Sequence, residues 1–142
     1  SGVRVHSNNS EIIVQWGEYT SEPGVPMMIT YMYQPGQLKC SGGALDTATR
    51  QGFWQFYDTK GVRYANGRYD HNLKTGNWEE TDTLTWIIHR GVYTNNVRTG
   101  KWVEVESVYG TVWTGNYEAG NKKGVWILRK PDGTVLEKKR YR

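Results

Sequence analysis

Short runs of alternating apolar and polar residues fill this chain, and no sustained helical pattern interrupts them. Alternation with a period of two marks strands with one buried face. Residues 54–58, WQFYD, turn through Thr59-Lys60-Gly61 into residues 62–69, VRYANGRY. Residues 126–130, WILRK, turn through Pro131-Asp132-Gly133 into residues 134–141, TVLEKKRY. Pro-Asp-Gly presets the dihedral angles of a tight turn, so this is the clearest hairpin in the chain. Residues 11–19, 27–33 and 37–43 supply further strands, giving about eleven in all. A second connection is expected in the polar stretch TNNVRTG, residues 94–100, and in its counterparts. Sequential neighbours should pair as a meander.

The runs recur. Residues 43–54, 67–78, 91–102 and 115–126 align without a gap at a spacing of 24, with the shared pattern G-x-[Y/L]-x6-G-x-W. Gly43, Gly67, Gly91 and Gly115 coincide, as do Gly52, Gly76, Gly100 and Gly124, and then Trp54, Trp78, Trp102 and Trp126. A basic residue recurs two places before the second glycine: Arg50, Lys74, Arg98 and Lys122. Residues 17–26, GEYTSEPGVP, read as a degraded copy suited to capping an end. The predicted fold is therefore all-β: an elongated, twisted antiparallel meander or solenoid of four to five 24-residue hairpin repeats. Residues 1–42 form an N-terminal segment and degenerate cap, continuous with four repeats in 43–142.

Glycine weakens a strand, so its pairing with the largest side chains needs a reason. Gly91 and Tyr93 share a face, as do Gly100 and Trp102. A glycine leaves a hole that a ring from the next strand can cover. Trp residues one repeat apart lie two strands, roughly 10 Å, from each other, and a Tyr ring fits the gap. The expectation is one ladder of Trp54, Tyr69, Trp78, Tyr93, Trp102, Tyr117 and Trp126, with all eight repeat glycines as its sockets.

The glycine–aromatic units resemble MORN-type repeats, most closely over residues 52–78, GFWQFYDTKGVRYANGRYDHNLKTGNW. Similar units occur in bacterial antitoxin-like MORN proteins and in repeat families of ciliated protists. The resemblance covers about residues 43–141 and implies a scaffold or interaction surface, sometimes at membranes. It leaves residues 1–42 unassigned.

Composition adds little that is specific. The chain has 142 residues, seven Trp and ten Tyr against two Phe, 17 Gly, and a net charge of +4. Cys40 is alone, which excludes a disulfide framework within the chain and a Cys-based zinc site. His6, His71 and His89 have no metal-ligand spacing, and the glycines do not form a phosphate-cradling loop, so no metal or cofactor is expected. Glu104 and Glu106 share the face of Trp102, the geometry of a glycosidase pair, but surface charge explains both. No enzyme is indicated. No apolar run reaches the length of a membrane helix. The sequon Asn8-Asn9-Ser10 is a candidate N-glycosylation site, and with the non-Met start it keeps an extracellular, processed chain in view.

The expected function is that of a structural or interaction protein. It would associate with protein partners, and with its own copies, through open sheet ends and the N-terminal segment, to the point of building a filament. The alternatives are a module binding glycans through the aromatic face or an anionic lipid surface through the rim Arg50, Lys74, Arg98 and Lys122, and an antitoxin-like inhibitor. Nucleic acid is the disfavoured partner, for want of a recognised module.

Overall fold

The computed structural model describes residues 2–8, 11–17 and 27–142, the first two stretches through their backbone alone. Among the described residues the regular structure is entirely β, and the chain falls into two compact units, Ser1–Leu73 and Lys74–Arg142. The first unit holds β1 (Gly2–Asn8), β2 (Glu11–Gly17), β3 (Met27–Gln34), β4 (Gln37–Asp46), β5 (Thr49–Tyr57) and β6 (Arg63–Asp70). The second holds β7 (Leu73–Asp82), β8 (Ile87–Thr94), β9 (Val97–Glu106), β10 (Thr111–Glu118), β11 (Asn121–Arg129) and β12 (Val135–Tyr141). Within each unit every strand pairs antiparallel with its neighbour in sequence, which is the open meander the alternation predicts. Residues 18–26, most of the degraded copy, lie outside the described residues, as do Asn9 and Ser10 of the sequon.

One class of turn is tighter than its polarity implies. The stretch 94–100 is not a loop: β8 ends at Thr94, β9 starts at Val97, and only Asn95 and Asn96 connect them. Both have left-handed backbones, φ 46° and 71°, as a two-residue hairpin turn requires. His71-Asn72 and Ala119-Gly120 do the same, at φ 45° and 69° and at 49° and 84°. Asparagine tolerates this region, but alanine pays in sterics. Ala119→Asn should therefore raise stability by about 0.5–1 kcal/mol, read as a higher thermal midpoint.

Each of these turns is also tied backwards. The amide of Asn72 donates to the carbonyl of Arg50 at 3.0 Å, Asn96 to Lys74 at 2.9 Å, and Gly120 to Arg98 at 3.2 Å. The turn between β4 and β5 differs. Asp46 accepts from the amide of Ala48 at 2.8 Å and from the Thr49 hydroxyl at 3.0 Å, an Asx-type closure without left-handed residues at 47 and 48.

The two glycine sets have different jobs. A Cβ on Gly91 would overlap the indole of Trp102, and one on Gly115 the indole of Trp126. These glycines are sockets. At Gly100 and Gly124 a Cβ would meet nothing within 4 Å, but φ is +67° and +70°. There the need is conformational. Arg90 pairs with Val103 and Val92 with Thr99, so residues 100–102 bulge against Gly91 alone. The expectation that all eight glycines are sockets is corrected accordingly. It is corrected again at Gly43, whose space is taken by the backbone carbonyl of Gln51, while Trp54 covers Gly42. β4 carries one more residue between socket and ring, 12 positions instead of 11, as a bulge at Leu45: Ala44 pairs with Arg50 but Asp46 with Thr49.

Candidate functional site

The repeating face is built from rings, cations and carboxylates. Tyr side chains stand opposite the left-handed glycines: Tyr69 faces Gly52, Tyr93 faces Gly76, Tyr117 pairs with Gly100 and Tyr141 with Gly124. This register inserts each Tyr ring beside a Trp. In the second unit the sequence runs Trp78–Tyr93 at 6.0 Å, Tyr93–Trp102 at 5.3 Å, Trp102–Tyr117 at 5.6 Å and Tyr117–Trp126 at 5.5 Å, all edge to face. Tyr141 adds a further rung, 6.4 Å from Trp126, which the 24-residue alignment stopped short of. In the first unit Trp54 meets Tyr69 at 6.3 Å and Tyr31 at 6.3 Å. Such contacts are worth about 0.5–1.5 kcal/mol each beyond burial.

Trp54, Trp102 and Trp126 are 1%, 0% and 0% exposed, so their faces offer no platform to a sugar. Each indole N–H is also satisfied. Trp54 donates to the Gly43 carbonyl at 2.7 Å, Trp102 to those of Val92 and Thr99 at 3.2 Å, and Trp126 to that of Asn116 at 3.2 Å.

The recurrent cations lie on strands, not on a loop rim, and each covers a Trp. Arg50 sits 4.7 Å from the Trp54 ring, Lys74 4.8 Å from Trp78, Arg98 4.4 Å from Trp102 and Lys122 4.6 Å from Trp126. Three of them are also neutralised. Glu80 takes Lys74 at 2.9 Å and Arg98 at 3.2 Å, and Glu104 takes Lys122 at 2.7 Å. A rim turned toward an external anion is therefore corrected, in the second unit, to a set of cations held between rings and internal carboxylates. In that unit the head of each cation lies over a ring and finds its counter-charge beside it.

From sequence alone Glu104 stands out only beside Glu106, and both Glu80 and the ion-pairing role that the two share escape notice. Glu80 and Glu104 stand 24 apart, two residues past the aligned Trp78 and Trp102, a signal that extending the alignment would have caught. Glu104 is buried against Lys122 and Glu106 accepts from Thr111 at 2.7 Å, so the pair is committed to structure. Burial pushes the Glu80 carboxyl up, but hydrogen bonds from Tyr93 and Lys74 and the charges of Lys74 and Arg98 outweigh it and hold it low. Arg98 loses by desolvation and gains more from Tyr93 and Tyr117, ending raised.

His89 lies between the two glutamates, opposite both in register. Its Nδ1 is 3.7 Å from Glu104, too far for a hydrogen bond, and has no partner. Burial lowers its pKa, with Glu104 pulling the other way and Arg98 adding to the decrease. The fold thus prefers neutral His89, and its contribution is complete above the unfolded value near 6.5 and fades as pH falls below it. Glu80, also depressed, contributes above about pH 4.3 and fades at lower pH. The thermal midpoint should fall in two stages on acidification, and His89→Gln should abolish the upper one.

The remaining candidates do not converge. His71 pairs with Asp70 on an exposed turn at 2.6 Å, and Cys40 is buried. Among the described residues no group of three or more His, Cys, Asp or Glu is placed to hold a metal, and no helix is long and apolar enough to cross a membrane. No protein-family model matches the chain, and the search of curated proteins returned no match.

Proposed function

We propose that this is a MORN-type repeat protein acting as a non-enzymatic scaffold, joined through its surfaces to protein partners and to copies of itself. The observation that carries this reading is the set of turns at one end of the second unit. Leu84 is 92% exposed, Tyr109 76% and Val108 71%, with Trp86 half-exposed among them. The turns are tied together: the amide and hydroxyl of Ser107 donate to the carbonyl of Trp86, the hydroxyl at 2.6 Å. Trp86 itself has φ 58°, a strained conformation for a bulky residue. Large apolar groups held out by a braced, strained turn fit a contact surface better than a solvated one.

Strand edges supply the second means of association. Among the described strands β12 pairs with β11 alone, and an open edge accepts a further strand. Glu137, Lys138, Lys139 and Arg140 on it select against indiscriminate pairing. Light scattering tests both routes. Leu84→Ser with Tyr109→Ser should reduce the assembled mass, and deletion of residues 1–10 should do so if end-to-end pairing contributes. Unchanged mass in both, from a wild type that does assemble, would reject self-association. A monomeric wild type would reject it as well.

The same braced turns favour one alternative, insertion into a membrane surface, since Leu, Val, Trp and Tyr at turn tips suit the headgroup boundary. Sedimentation with anionic liposomes separates the two readings. Binding lost in the Leu84→Ser/Tyr109→Ser variant would favour the membrane.

A further inference from the structure

We propose that Arg50 and the cleft beside it bind a carboxylate carried on a compact body. The proposal is independent of the scaffold reading and concerns the first unit alone. Its basis is a comparison of two equivalent rows. In the second unit Glu80 pairs with His89 and His89 with Glu104, a row that supplies carboxylates to Lys74, Arg98 and Lys122. In the first unit the same row is Tyr31, Cys40 and Phe56, in the register Tyr31↔Cys40 and Cys40↔Phe56. Arg50 keeps the stacked position of Arg98, 5.3 Å from the rings of both Phe56 and Tyr69. The carboxylates are gone and the cation has stayed.

No described carboxylate pairs with Arg50. Its guanidinium meets the Tyr69 hydroxyl at 3.4 Å and three aromatic rings. Asp46 lines the cleft too, but its two oxygens are occupied by the Ala48 amide and the Thr49 hydroxyl. A cleft of about 360 Å³ opens beside Arg50, lined by Tyr31 and by the polar Asp46, Thr47, Thr49 and Asn72, with the buried Ile29, Ala44 and Trp54 beneath. That size admits a ring or a short branched chain. A guanidinium–carboxylate contact is bidentate and charge-assisted, and the hydroxyls and amide of Thr47, Thr49 and Asn72 add polar partners around it. The repeat itself indicates the anion, because a carboxylate fills this place in the second unit. The Asp46 charge on the rim works against dianions and so favours a carboxylate over a phosphate.

Calorimetric titration of the full chain with phenylacetate tests the site, with benzyl alcohol as the neutral probe and phenyl phosphate as the dianion. Phenylacetate should bind at least about tenfold tighter than either. Arg50→Gln should weaken it by about tenfold or more. Tyr31→Glu, which restores the internal carboxylate of the second unit, should also abolish binding while keeping the fold intact by circular dichroism. Acetyl-phenylalanine and its amide identify the source: binding of phenylacetate assigns a small acid, and binding of the peptide acid alone assigns a chain terminus. Failure of all the acids, equal binding by Arg50→Gln, or preference for phenyl phosphate would overturn the proposal.

Discussion

Gly91→Val should lower the stability of the second unit by about 3 kcal/mol or more, the upper end of overpacking costs. The new side chain would enter the volume of the Trp102 indole, which is fully buried and held by two carbonyls, and the ring has no vacant space to move into. Gly100→Val is the control. It meets no atom within 4 Å and costs only the strain of a positive φ, about 1–3 kcal/mol. Urea denaturation distinguishes them. Equal losses at the two glycines would show that Gly91 is not a socket.

Trp102→Ala should cost about 3–5 kcal/mol, the range for truncating a large buried aromatic. The ring touches Tyr93 and Tyr117 at 5.3 and 5.6 Å and supports Arg98 at 4.4 Å, so its loss breaks two rungs and exposes a cation's packing surface. The sharper prediction is a sign change. Gly91→Ala destabilises the wild type, but with Trp102 already alanine the socket is empty and the same change should be neutral or stabilising, since alanine is the better strand residue. A double-mutant cycle measures this coupling, and additivity would refute it.

Much of this was legible because glycine and tryptophan are rare enough to be seen recurring. The alternation set the strands, and the recurrence at 24 set which rings form the ladder. What escaped has definite causes. Asn95 and Asn96 read as part of a loop because polarity does not distinguish a two-residue turn from a longer one. Gly43 was aligned as a socket because the β4 bulge between Ala44 and Asp46 adds a residue that a gapless alignment hides. The recurrence of Glu80 and Glu104 was overlooked because the repeat lacks an acid at its first and last copies, where Phe56 and Leu128 stand. Tyr141 was missed because its copy of the pattern has no leading glycine.

The backward ties of the turns give the molecule a direction. Asn96 closes onto Lys74 and Gly120 onto Arg98, so each hairpin tip is completed by a carbonyl that the preceding hairpin has already placed. A chain emerging from its N-terminus meets every template before the segment that needs it. Removing the last hairpin leaves the earlier tips complete, whereas removing an early one strips an acceptor from its successor. These ties favour assembly in the order of synthesis.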